Sequence, residues 1–122
     1  MDSARLPYPP PIRRAAAITA AGLALVIAWY SLVPPGETPA PQLSDKIRHF
    51  GAYAMLAVPT GMWLAPRRIA PALAAAAWGI LLEIAQAFAG TGREASFGDA
   101  LANVAGACAG VCLVWMVARR RG

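Results

Sequence analysis

Four apolar segments, each about long enough to cross a bilayer, follow one another along the chain with short polar breaks between them. A membrane-spanning helix needs about 20 mainly apolar residues. The spans are predicted at about 15–33, 45–65, 69–89 and 99–118. Backbone polar groups within a bilayer must be satisfied inside the segment, so each span is expected to be a helix. The pattern predicts an all-α protein, a four-transmembrane-helix bundle.

Proline and glycine mark the breaks between these segments, as is typical of loops. They occur at 34–36, at 66–71 and at 90–92. The apolar part of the first segment is longer than the roughly 7–15 residues of a signal peptide, so we expect it to be retained. We predict a flexible Pro-rich cytoplasmic tail over 1–14, a membrane domain over 15–118 and a basic cytoplasmic tail over 119–122.

Composition narrows the class of protein. The chain has 122 residues, of which 58% are hydrophobic and 14% charged. A soluble domain this small could not bury that much apolar surface. The net charge of +5 does not indicate nucleic-acid binding, because the basic residues flank the apolar segments and form no basic stripe. Cys108 and Cys112 lie four residues apart in an apolar segment, as packing residues would.

The sequence predicts no metal site and no cofactor. It has one histidine, no CxxC motif and no set of His and Cys ligands at zinc spacing.

Basic residues predict the orientation of the bundle, because lysine and arginine are enriched on the cytoplasmic side. With four spans, the N-terminal tail, the loop between the second and third spans and the C-terminal tail share one side. They hold eight of the eleven basic residues: Arg5, Arg13, Arg14, Arg67, Arg68, Arg119, Arg120 and Arg121. The other side holds only Lys46, Arg48 and Arg93. Both termini are therefore predicted to be cytoplasmic.

Polar residues gather near the opposite, outer surface. At 1.5 Å per residue, Glu83 lies about 9 Å and Asn103 about 6 Å below the outer ends of their helices. His49 enters the second span at a similar level. The candidate ligand-binding residues are Asp45, Lys46, Arg48, His49, Tyr53, Glu83, Gln86, Arg93, Ser96, Asp99 and Asn103.

These residues also share helix faces with small residues that suit close helix packing. Asp45, His49 and Tyr53 repeat every four residues and form one stripe. Asp99 and Asn103 continue into Gly106 and Gly110, a GxxxG pattern that lets helices approach closely. In the third span, Glu83 shares a face with Gly79.

A carboxylate at the centre of a span costs about 2.5–3.5 kcal/mol, and less nearer the boundary. Glu83 therefore needs a partner, and the candidates are Lys46, Arg48, His49 and Arg93. The simplest interpretation of any single polar residue here is a hydrogen bond between helices. The convergence of many such residues at one depth favours a functional site.

Three blocks of sequence together resemble the VanZ-like family of small bacterial integral membrane proteins. They are Asp45-Lys46-x-x-His49-Phe50-x-x-Tyr53, then Glu83-x-x-Gln86, then Arg93-x-x-Ser96-x-x-Asp99-x-x-x-Asn103-x-x-Gly106-x-x-x-Gly110. The resemblance implies a multi-pass protein of the bacterial cytoplasmic membrane with a role in the cell envelope. The founding member is associated with low-level resistance to teicoplanin.

Two functional hypotheses follow. In the first, an outward-facing site binds or modifies an amphiphilic envelope component: a lipid-linked precursor, a lipid head group or a glycopeptide antibiotic. Lysine and arginine would attract its phosphate or carboxylate. Glu83, His49 and Asp99 are the candidate catalytic residues if the site performs acid–base chemistry, and the sequence leaves catalysis open. In the second, the protein is a non-enzymatic subunit or assembly factor that packs against a membrane-protein partner.

Overall fold

Four α-helices make up the described part of the chain in a computed structural model, which covers residues 7–34, 44–90 and 96–121. In chain order they are α1 (Pro10–Leu32), α2 (Asp45–Leu64), α3 (Ala70–Ala89) and α4 (Phe97–Arg121). The prediction of an all-α fold is confirmed. The candidate Arg93 and residues 1–6 of the predicted tail lie outside the described residues.

The helix ends depart from the predicted boundaries at two places. Helix α1 begins at Pro10, inside the segment predicted to be a flexible tail. Proline suits the first turn because its fixed φ is helical and its missing N–H would have no partner there. Helix α4 continues to Arg121, past the predicted end near residue 118. At the C-terminus of α3, Gly90 adopts a left-handed conformation with φ 64° and ends the helix.

Three of the helices, α1, α3 and α4, are long and apolar enough to cross a membrane. Helix α2 opens with four ionisable residues in its first five positions and contains Pro59 and Thr60 in its second half. It also packs against each of the other three helices, most extensively against α4. Neighbouring helices therefore cover much of the least apolar helix of the bundle.

The close approach of α2 and α4 depends on two glycines one turn apart. A Cβ added to Gly106 would collide with the carbonyl oxygen of Phe50, and one added to Gly110 would collide with that of Ala54. From the first contact to the second, the residue number rises by four in α4 and by four in α2, so the two helices run parallel. The GxxxG face of α4 is thus occupied by the backbone of α2.

Side chains of α3 hold the remaining helix, α1. The Trp78 indole N–H donates to the carbonyl oxygen of Ala24 at 3.1 Å, and the Gln86 amide donates to that of Ser31 at 2.8 Å. Because both donors and both acceptors progress along the chain in the same direction, α1 and α3 also run parallel.

The two ends of the bundle differ in chemistry. At one end, Arg13 donates to the carbonyl oxygen of Trp63 at 3.0 and 3.1 Å. At the same end, the Arg68 guanidinium lies 4.3 Å from the ring centre of Trp115. At the other end, the N-termini of α2 and α4 meet the C-terminal half of α3. We call this second end the polar end.

Candidate functional site

Side chains from three helices converge at the polar end. The polar cluster consists of Lys46 and His49 from α2, Glu83 from α3, and Ser96, Asp99 and Asn103 at the start of α4. One nitrogen of His49 and one carboxylate oxygen from each of Glu83 and Asp99 lie within 4.8 Å of one another. Residues 34 and 50 positions apart in sequence thus become neighbours through the packing of α2, α3 and α4.

Asp99 is the most heavily contacted member of this cluster. Ser96 caps α4 by accepting a hydrogen bond from the backbone N–H of Asp99 at 3.3 Å, which places the Asp99 carboxylate in the first turn. One carboxylate oxygen, Oδ1, pairs with Lys46 Nζ at 2.5 Å. The other, Oδ2, lies 3.6 Å from Nε2 of His49. The Lys46 stem passes over Gly98, where an added Cβ would lie 2.9 Å from Lys46 Cε.

Asn103 orients the ring of His49. The amide oxygen of Asn103 lies 2.8 Å from Nδ1 of His49, and the Asn103 side chain is only 2% exposed. Beneath it, Tyr53 is buried against Gly79, where an added Cβ would lie 3.0 Å both from the tyrosine ring and from the Asn103 amide nitrogen. The missing side chain at Gly79 therefore gives the asparagine and the tyrosine their room.

Glu83 is held by the backbone. Its Oε2 accepts a hydrogen bond from the N–H of Ser96 at 3.2 Å. Within residues 7–34, 44–90 and 96–120, no lysine or arginine forms an ion pair with Glu83. Of its predicted cationic partners, Lys46 pairs with Asp99 and Arg48 pairs with Asp45, which leaves His49 as the described neighbour.

Some predicted site residues do not join the polar cluster. Asp45 and Arg48 pair with each other along one side of α2, and the Asp45 side chain is 68% exposed. Gln86 points to α1 and bonds to Ser31. It lies one turn nearer the polar end than Glu83 on α3, but its contact ties two helices together.

An apolar groove adjoins the cluster, and the sequence gives no sign of it. It has a volume of about 390 Å³ and runs between α3 and the start of α4. Its walls include Ala87, Phe88, Phe97 and Ala100, which look like ordinary lipid-facing positions in the sequence. Its polar members are Glu83 and Ser96. The groove therefore joins apolar surface to the polar cluster.

The arrangement offers two kinds of chemistry. A histidine beside two carboxylates can exchange protons with a bound molecule. The same three side chains are also the set, among the described residues, that could hold a metal ion. No protein-family model, curated protein or solved structure matches this chain, so the VanZ-like resemblance stays a sequence-based hypothesis.

Proposed function

We propose that the chain is a four-span protein of the bacterial cytoplasmic membrane, with both termini in the cytoplasm and the polar end outward. One observation supports this orientation, and another supports the fourth span. The end of the bundle that carries Arg13 and Arg68 is the basic one, and basic ends favour the cytoplasm. The central position of α2 supports its role as the fourth span, because the other three helices pack against it and bury Thr60 and Tyr53 in its interior part, while its charged residues lie at the polar end.

Cysteine labelling tests this topology. In a Cys108→Ala/Cys112→Ala background, we expect a membrane-impermeant maleimide to label Asp45→Cys in intact cells. We expect Arg67→Cys to be labelled only after permeabilisation. Both positions are exposed and lie at opposite ends of α2. Labelling of both positions from the same side would show that α2 does not cross the membrane.

The proposed activity is the binding of an amphiphilic component of the cell envelope, with its apolar chain in the groove and its head group at the polar cluster. The groove is the observation that supports this proposal, because it leads from apolar walls to Glu83 and Ser96. A ligand site that is mainly apolar with a few convergent polar groups is typical of small-molecule recognition. An acyl or polyprenyl chain matches the walls, and a polar head group matches the cluster.

The ion pairs change the expected mode of head-group recognition. Lys46 and Arg48 were predicted to attract a phosphate or carboxylate, but each already has a carboxylate partner within the chain. A head group would therefore compete with Asp99 for Lys46, or bind through hydrogen bonds to Ser96 and Glu83. Specificity by hydrogen bonding favours hydroxyl-rich or amide-rich head groups, such as those of lipid-linked sugars and peptides.

Filling the groove tests the proposal. Replacement of Ala87, which lines the groove, by tryptophan is expected to reduce lipid that copurifies from bacterial membranes in mild detergent by at least about tenfold, because the large side chain occupies the apolar space. Ala77→Trp is the matched control, since Ala77 is also exposed on α3 but does not line the groove. Native mass spectrometry measures the bound lipid. Equal lipid content in the two variants would refute binding in the groove.

The VanZ-like resemblance adds a cellular expectation to this proposal. A strain that lacks the protein would change its envelope lipids or its susceptibility to teicoplanin. Glu83→Gln or His49→Ala protein should fail to restore the wild-type behaviour. If both variants insert normally and restore it fully, the polar cluster has no role in the function.

The alternative role, a subunit of a larger membrane complex, has less support once the packing of α4 is known. The GxxxG face was expected to pack either within the chain or against a partner, and α2 occupies it within the chain. A stoichiometric protein partner in the same detergent preparation, in place of bound lipid, would favour this alternative.

A further inference from the structure

We infer that His49, Glu83 and Asp99 form a binding site for one divalent transition-metal cation, with Zn²⁺ as the best match. The sequence does not predict such a site, because it has one histidine and no set of ligands at metal-binding spacing along the chain. The structure brings the three donors together from three different helices, with one donor atom from each residue within 4.8 Å of the others.

The His49 ring is oriented as a metal ligand requires. Nδ1 faces the amide oxygen of Asn103 at 2.8 Å, so Nδ1 carries the proton and donates it. The lone pair of a neutral ring then lies on Nε2, which faces Oδ2 of Asp99 at 3.6 Å. Two acceptor atoms facing each other repel, unless a proton or a cation lies between them. A metal-bound histidine usually donates its other N–H in this way.

Each of the three donor residues also has an outer contact that fixes its position. Asn103 holds His49, the N–H of Ser96 holds Glu83, and Lys46 holds Asp99 through Oδ1. Oδ2 of Asp99 is thereby left on the side of His49. Outer contacts of this kind orient ligands and tune the affinity of metal sites.

The distances suit a small ion. Two ligands at about 2.1 Å from a tetrahedral zinc ion lie about 3.4 Å apart. The separation of 3.6 Å between His49 Nε2 and Asp99 Oδ2 is close to that value. Glu83 offers an oxygen within 4.8 Å of the other two donor atoms, so its side chain would move inward to complete the set. Three protein ligands leave at least one coordination position open, as in zinc sites that bind water or substrate.

Charge supplies an independent reason. The carboxylates of Glu83 and Asp99 lie close together at the polar end. Among the described residues, Lys46 forms an ion pair with Asp99, and no lysine or arginine forms one with Glu83. A divalent cation would offset the charge of Glu83 in an environment where an uncompensated carboxylate is costly. One nitrogen and two oxygen donors favour Zn²⁺ or Co²⁺ over Mg²⁺ and Ca²⁺, which prefer oxygen ligands alone. The competing explanation is a proton on Nε2, which gives an ion pair with Asp99.

The single histidine of the chain makes a direct test feasible. The protein would be purified in mild detergent without a polyhistidine tag and treated with a chelator. Cys108→Ala and Cys112→Ala substitutions remove the two thiols, which are exposed on α4 and could bind Zn²⁺ themselves. With isotope-labelled histidine, NMR then reports one imidazole. Addition of one equivalent of Zn²⁺ is expected to shift the Nε2 signal strongly while Nδ1 stays protonated.

Two variants identify the remaining ligands. Glu83→Gln keeps the shape of the side chain and removes its charge, and we expect at least about a tenfold loss of Zn²⁺ affinity by calorimetry. Asp45→Asn is the matched control, because Asp45 is a carboxylate of α2 at the same end that lies outside the three donors. It should bind Zn²⁺ like the parent protein. An Nε2 signal that responds to pH but not to Zn²⁺ or Co²⁺ would overturn the inference in favour of the proton.

This site does not depend on the ligand proposed for the groove. Ala87→Trp fills the groove but substitutes none of the three donors, so it should bind Zn²⁺ while it loses lipid. In the protein with alanine at position 87, bound lipid without metal binding would refute the metal site alone, and metal binding without bound lipid would refute the groove alone.

Discussion

Replacement of Gly106 by alanine is expected to destabilise the bundle by about 1–3 kcal/mol, the usual cost of overpacking a close contact. The new Cβ would overlap the carbonyl oxygen of Phe50, which is backbone and cannot rotate away. Helix α4 would have to move off α2 and lose the most extensive contact between helices in the structure. The polar cluster bridges the same two helices, so it would open as well.

Gly51→Ala is the control for this prediction. Gly51 lies in α2, beside Phe50, but nothing lies within 4 Å of the Cβ position. Alanine there removes the flexibility of glycine from a helix and is expected to be neutral or to stabilise by up to about 1 kcal/mol. Reversible unfolding in mixed micelles, followed by tryptophan fluorescence, measures both variants. Equal stabilities would mean that α2 and α4 do not approach as closely as described.

Much of this fold could be predicted from sequence because each signal is local. Apolar length predicted the helices, and proline and glycine predicted the breaks between them. The same signals misplaced the start of α1, because Pro10 both breaks a preceding segment and begins a helix. The spacing of Gly106 and Gly110 predicted a close contact, but it did not identify α2 as the partner. Helix pairing depends on the whole bundle.

The site was harder to predict, because its details depend on the rotation of each helix and on which helix lies opposite. Depth and shared helix faces brought His49, Glu83 and Asp99 into one group. Gln86 was placed with them on its depth and its polarity, yet it bonds to α1, whose position no motif encodes. The ion pairs could not be predicted either, because several carboxylates were expected at the depth of Lys46. The groove is formed by alanine and phenylalanine, which carry no signal in an apolar sequence.

The second large effect is expected at Asn103, the buried polar residue that connects α4 to His49. Its replacement by alanine removes the acceptor for Nδ1 and leaves that N–H without a protein partner. This costs about 1–3 kcal/mol for a fully buried group, and less here because the His49 side chain is 25% exposed. The loss of the side chain also leaves a void beside Tyr53 and Gly79, which adds to the cost. The destabilisation should therefore exceed that of an ordinary polar substitution in the bundle.

Thr60→Val provides that comparison. Thr60 is also buried in α2, but its hydroxyl donates to the carbonyl oxygen of Leu56 in its own helix. Valine has nearly the same shape as threonine, and the bond that it removes lies within one helix. We therefore expect a cost below about 1 kcal/mol.

A second measurement separates the two roles of Asn103. If its amide oxygen fixes the ring of His49, Asn103→Ala should weaken Zn²⁺ binding by about 10–100-fold, the usual effect of losing an outer contact to a metal ligand. Calorimetry in detergent, at a temperature where the variant is fully folded, measures this change apart from the loss of stability. A variant that is destabilised yet binds Zn²⁺ like the parent would limit Asn103 to packing. A variant that loses affinity while Thr60→Val keeps it would show that the contact between α2 and α4 sets the direction of the histidine.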